Sequence, residues 1–119
     1  MESSDMPGNF PRSTRVADLM HHEVASIIAN ELKDPGIKGL VTLVEVELTR
    51  DLHYATLWIS VLGSNAEKKS TMKSLERARG FIRTVLGRRL KIRKMPELRF
   101  RLDRSLDASE EIERLLSDV

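Results

Sequence analysis

Near the start of the chain Val16, Leu19, Met20, Val24, Ile27, Ile28 and Leu32 recur at three- and four-residue spacing. That period predicts an amphipathic helix with one buried stripe, which Ser13 or Thr14 can cap. Asp34-Pro35-Gly36 ends it, because proline disfavours helix in the residue before it and glycine accepts the dihedrals of the exit. The period then falls to two. In residues 40–49, Val44, Val46 and Leu48 alternate with Glu45, Glu47 and Thr49, as in a strand with one wet face. Arg50-Asp51-Leu52-His53 turns the chain into a second strand over 54–62, with Ala55, Leu57, Ile59 and Val61 on one side and Tyr54, Thr56, Trp58 and Ser60 on the other. Pairing Leu48 with Ala55 sets Val46 across from Leu57 and Glu45 across from Trp58, so the two apolar sets share a face that helices must cover.

Gly63-Ser64-Asn65 breaks the second strand, and a helical pattern follows from Ala66 through Met72, Leu75, Ala78, Ile82, Val85, Leu86 and Leu90. Gly80 interrupts it. Glycine costs about 0.5–1 kcal/mol against alanine inside a helix, so Gly80 marks a bend or a close backbone approach. Pro96 closes this region, Leu98, Phe100 and Leu102 alternate with Arg99, Arg101 and Asp103 as a third strand, and residues 106–116 read as a short acidic helix containing Ile112, Leu115 and Leu116. The predicted layout is a flexible lead at 1–12, one α+β domain at 13–104, and the acidic helix at 105–119, packed on the domain or trailing it. At 119 residues there is room for one core and no second domain.

Charge adds what periodicity cannot. Residues 68–104 hold fourteen basic side chains against three acidic ones, a net of +11, inside a formal total of +2. The rest of the chain is acidic. On the predicted helices Phe81, Ile82, Val85, Leu86 and Leu90 point inward, leaving Lys73, Arg77, Arg79, Arg83, Arg88 and Lys91 wholly or partly outward. Glu76 is the one acid between Lys68 and Lys94. A solvated helix face ordinarily mixes its signs; this run repels itself unless a polyanion compensates it, and nucleic acid is the commonest one. Arg99 and Arg101 stand apart on the open sheet face, where Glu45 and Glu47 can pair with them beside Trp58 if the third strand runs next to the first.

Catalytic chemistry finds little footing. His21-His22-Glu23 lacks the second histidine four residues after His22, and adjacent histidines project about 100° apart on a helix, so no metal site is expected. His53 reads as a turn residue with no obvious partner. With no cysteine in the chain, thiolate metal sites and disulfides are excluded and a reducing cytoplasm is the natural setting. The first eleven residues lack the basic and apolar regions of a signal peptide, and no apolar run approaches the roughly 20 residues a membrane span requires. Neither enzymatic activity nor a cofactor is expected.

Five local motifs, in this order, carry a resemblance: Arg15-Val16-Ala17, Glu31-Leu-Lys-Asp-Pro-Gly-Ile37, Asp51-Leu-His-Tyr-Ala-Thr56, Val61-Leu-Gly63 and Met95-Pro-Glu-Leu98. Together they resemble the ribosome-binding factor A family over about residues 12–116. The resemblance implies a single type II KH-like domain, α-β-β-α-kink-α-β, with a three-stranded sheet, helices on one face and a short C-terminal helix. An ordinary KH domain joins its central helices through a Gly-x-x-G loop. Here the matching position is the interhelical kink Ala78-Arg79-Gly80, which favours contacts to the phosphates and shape of folded RNA. The resemblance further implies a monomeric, cytoplasmic, non-enzymatic factor that binds 16S rRNA on the free 30S subunit, assists late maturation and 5′-end processing, and matters most in the cold, with other ribosome-assembly factors as further partners. The basic residues expected to meet rRNA are Lys68, Lys69, Lys73, Arg77, Arg79, Arg83, Arg88, Arg89, Lys91, Arg93 and Lys94, with Arg12 and Arg15 secondary. Competing expectations are a general KH-type RNA-binding regulator and an adaptor for an acidic ribosome-assembly protein.

Overall fold

Residues 12–104 are described by the computed structural model, in the order α1 (Arg12–Asn30), β1 (Leu40–Leu48), β2 (Tyr54–Leu62), α2 (Asn65–Arg77), α3 (Arg79–Leu90) and β3 (Glu97–Leu102). The expected order of elements therefore stands. The acidic helix expected at 106–116, and all of the expected lead except residue 12, lie outside the described residues.

β1 and β2 form the antiparallel hairpin in the register that the apolar pattern dictates, with Leu48 across from Ala55, Val46 from Leu57 and Glu45 from Trp58. The turn is held by Asp51, whose carboxylate accepts from the Thr49 hydroxyl and the His53 backbone N–H and lies 3.0 Å from His53 Nδ1. His53 thus has a partner two residues away. The same contacts, led by the Thr49 hydroxyl and then the His53 N–H, lower the Asp51 pKa.

One strand position departs from simple alternation. A bulge lies between Leu43 and Glu45, so Leu43 and Val46 are the buried residues of β1 while Val44 is left exposed instead of inward. β3 runs parallel to β2, and the sheet order is β1-β2-β3, with α2 and α3 forming the crossover that a parallel pair requires. Because β2 separates β3 from β1, Arg99 and Arg101 lie across from Thr56 and Trp58, and the expected pairing with Glu45 and Glu47 does not form. Glu47 instead accepts from the Trp58 indole N–H at 2.5 Å, while the Arg99 guanidinium stacks 3.9 Å from the Tyr54 ring centre and lies 3.6 Å from Glu97.

The core joins Met20, Val24 and Ile27 of α1 to Leu75, Ile82 and Leu86 of the helix pair and to Ala55, Leu57, Ile59, Leu98 and Phe100 of the sheet. Burial of such side chains contributes about 1.5–3 kcal/mol each and dominates the stabilisation. Besides Val44, two predicted core residues of the helices are outside it: Leu19 is 59% exposed and Phe81 is 46% exposed. Each lies on the flank of its helix, about 100° from a neighbour that takes the central position, Met20 in one case and Ile82 in the other. α1 begins at Arg12, so Ser13 and Thr14 fall inside its first turn and not at its cap.

Candidate nucleic-acid interface

Ser64 starts α2 with a capping box: its hydroxyl accepts from the Glu67 N–H, and the Glu67 carboxylate accepts from the Ser64 N–H. The helix is then stitched to the loop after α1. Thr71 exchanges hydrogen bonds with the backbone of Lys38 at 2.8 and 2.9 Å, and the Ser70 hydroxyl donates to the Gly36 carbonyl at 2.7 Å. A β-carbon at Gly36 would collide with the Ser74 hydroxyl oxygen, so a side chain there would force Ser74 to turn away from its place beside this loop. α2 ends at Arg77, and Ala78 alone, at φ −85° and ψ −1°, separates it from α3. A β-carbon at Gly80 would meet nothing within 4 Å. Of the two readings of Gly80, the bend is present and the close approach is not.

This frame sorts the basic residues. Lys69, Lys73, Arg88, Lys91, Arg93 and Lys94 are exposed and, among the described residues, carry no ion pair or side-chain hydrogen bond. Three others are partly engaged. Arg77 donates to Asp34 at 3.2 Å and to Ser74 at 3.0 Å. Arg79 lies 3.6 Å from Glu76 and donates to the Leu98 carbonyl at 3.4 Å, and Arg83 donates to the Met95 and Pro96 carbonyls at 3.1 and 3.4 Å. Asp34 is held below the ordinary carboxylate range first by the Gly36 backbone N–H and then by Arg77, against the opposing effect of desolvation.

Two residues of the expected site sit differently. Lys68 is buried, at 8% exposure, on the inner side of α2. Arg89 bridges α3 to α1, 3.3 Å from Glu23 and in direct contact with Glu31, so its charge is met within the chain. Periodicity could have signalled this: Ile82, Leu86 and Arg89 are spaced by four and three along one stripe of α3. Arg15 is exposed; α1 begins with Arg12, whose side chain is not described.

Tertiary packing adds a feature without a sequence signal. Between the first turns of α1 and the end of α3 lies a groove of about 320 Å³, lined by Val16, Leu19, Leu90, Lys91, Ile92 and Arg93. Lys91, the C-cap of α3, adopts the left-handed conformation at φ 54° and ψ 38°, a geometry usually taken by glycine.

Comparison with known proteins places these features in a family setting. The family model described as ribosome-binding factor A matches residues 12–116. A ribosome-binding factor A from Desulforamulus reducens is 45% identical over 108 residues, covering 91% of this chain and 89% of the relative. The crystal structure of ribosome-binding factor A from Thermus thermophilus superposes with a TM-score of 0.69 at 22% identity, over 78% of this chain and 97% of that one. Coordinates of a Thermus thermophilus ribosome binding factor A fitted into a cryo-EM map of its complex with the 30S subunit give a TM-score of 0.62 at 24% identity, over 74% of this chain and 91% of that one.

Proposed function

This chain belongs to the ribosome-binding factor A family, and from that premise we propose that it binds the free 30S ribosomal subunit and assists late maturation of 16S rRNA, including processing of its 5′ end, with its greatest effect in the cold. It acts in the cytoplasm, as a monomer. The observation that carries this reading is the set of six exposed cations, Lys69, Lys73, Arg88, Lys91, Arg93 and Lys94, left without an internal partner among the described residues. Like charges gathered on α2, α3 and the loop that follows raise the energy of the free protein slightly and are compensated when phosphates meet them.

In this mechanism those six residues make the main phosphate contacts, with Arg77, Arg79 and Arg83 adding to them from partly engaged positions. Lys68 and Arg89 serve the fold. Phosphate contacts position a protein without reading sequence, so orientation on the rRNA comes from the fixed angle between α2 and α3 at Ala78-Arg79-Gly80. Binding one rRNA conformation better than another then holds an immature arrangement until release. Neutralising about five phosphates gives a slope of log affinity against log salt of about −3.5 to −4.5.

Sedimentation of lysates tests target and site together. The wild-type chain is expected with free 30S subunits, and a variant with Lys73→Glu and Arg88→Glu at the top of the gradient. Equal sedimentation of the two, or a salt slope close to zero, refutes the reading.

A further inference from the structure

We infer that the groove between α1 and α3 is a pocket for one unpaired nucleotide of the bound RNA, whose base lies on Val16, Leu19, Leu90 and Ile92 and whose phosphate is met by Lys91 and Arg93. The inference rests on the rRNA reading above and adds to it a place where a base, and not only the backbone, is held. Its floor is apolar, with Leu19 59% exposed at its rim, a large aliphatic side chain left mostly in water. Its walls are cationic: Lys91 and Arg93 line it, Arg15 stands exposed in the helical turn that contributes Val16, and no acidic residue is part of the lining among the described residues.

That pairing of an apolar floor with uncompensated positive charge calls for an occupant that offers both an apolar face and an anion. A basic or neutral apolar peptide would satisfy the floor and leave the cations unmatched; a duplex would satisfy the cations and leave the floor wet. A nucleotide with its base turned out of the stack offers both a flat apolar face and an anion, which is how unpaired RNA is ordinarily recognised. The volume of about 320 Å³ lies at the small end of ligand sites, enough for one base and too little for a helix.

The backbone supports the same assignment. The left-handed conformation of Lys91 turns the chain at the end of α3, so that four consecutive residues, Leu90 to Arg93, line the groove. A left-handed residue is an ordinary way to end a helix, and here it brings the Lys91 side chain to the groove wall. Glycine would make the turn more easily but would remove one of the two cations.

Leu19 is the residue to change, since its exposure makes its replacement nearly neutral for folding. The full chain and its Leu19→Asp variant are titrated against free 30S subunits at several salt concentrations, with thermal unfolding as the folding control. The reactivity of 16S rRNA bases to chemical modification is read in both complexes. Leu19→Asp is expected to weaken binding about fivefold or more, while one base protected by the wild type regains reactivity. Leu19→Ala is expected to weaken binding without altering the salt slope, because it removes no cation.

Three results overturn the inference. Leu19→Asp binds as wild type; or it binds weakly with no base changing reactivity, which assigns the groove to a protein contact; or its effect disappears once residues 1–11 are removed, which assigns the groove to the chain's own N-terminal segment. A salt slope near zero for the wild-type protein is a separate failure, independent of Leu19, that takes down the rRNA reading and this one with it.

Discussion

Arg88 and Arg89 are neighbours in sequence and opposites in situation. Arg88 is exposed with no partner among the described residues, whereas Arg89 is clamped between Glu23 of α1 and Glu31 just after that helix. The same division separates larger regions: α2, α3 and the loop after α3 hold cations in excess, while the seam with α1 engages Arg89 with two carboxylates and the sheet engages Arg99 with Glu97 and the Tyr54 ring, leaving Arg101 exposed without a partner among the described residues. A positive residue is thus available to a polyanion only where the fold has not already supplied its counter-charge.

The largest effect should come from emptying the excess. Replacing Lys73, Arg88 and Lys94 together with alanine is expected to lower affinity for 30S subunits by about two orders of magnitude and to make the salt slope shallower by about 2–3, with little change in thermal stability. Titrations at three or more salt concentrations check this; an unchanged slope would show that the three do not meet phosphates.

Arg89→Ala should do the reverse. It leaves Glu23 and Glu31 facing each other without their cation, so it is expected to cost about 1 kcal/mol of folding stability while 30S affinity stays within about twofold. Urea unfolding beside the binding titration reads both, and a loss of affinity with unchanged stability would erase the distinction between the two arginines.

Acid sharpens the comparison at the edge of α2. Asp34 has its pKa lowered in the folded protein, so its contribution to stability is present above the ordinary value of 3.8 and is lost as pH falls through the depressed folded value. Asp34→Asn is therefore expected to lower the thermal midpoint at pH 6, and the gap to wild type should narrow as pH falls below 3.8 and close once pH has passed the depressed folded value, where the wild-type group takes up its proton. A gap that persists in acid would mean that the ionised Asp34 carboxylate, held first by the Gly36 N–H and then by Arg77, is not its source.

The smallest effect is expected on the sheet. Arg99→Ala should leave 30S affinity unchanged and cost about 0.5–1 kcal/mol of stability, the value of an exposed cation–π contact with Tyr54. A loss of affinity matching that of an outer helical residue would bring the open sheet face into the interface.

Much of this is legible in the chain. The hairpin register follows from matching two period-two patterns, since slipping by one residue would turn an entire apolar set to solvent. The bend follows from one glycine in a long helical pattern, and the basic surface from the scarcity of acids between Lys68 and Lys94. The misses share a cause. Val44, Leu19 and Phe81 are apolar and sit at positions compatible with burial, but a bulge displaces the first and flank positions expose the other two. The partners expected for Arg99 fail because pairing depends on strand order, which a repeat of hydrophobic residues does not encode.

Spacing and composition are enough to say where helices and strands lie, which faces are apolar, and that the positive charge is concentrated in residues 68–104, because each is a local property of the chain. Which of those charges remain free is settled by packing alone. Counter-charges come from elsewhere in the chain: Glu23 and Glu31 neutralise Arg89 across 66 and 58 positions, and Asp34 engages Arg77 across 43. The groove beside Leu19 exists for the same reason, since its two walls are brought together by packing of α1 against α3 and by a left-handed turn at Lys91.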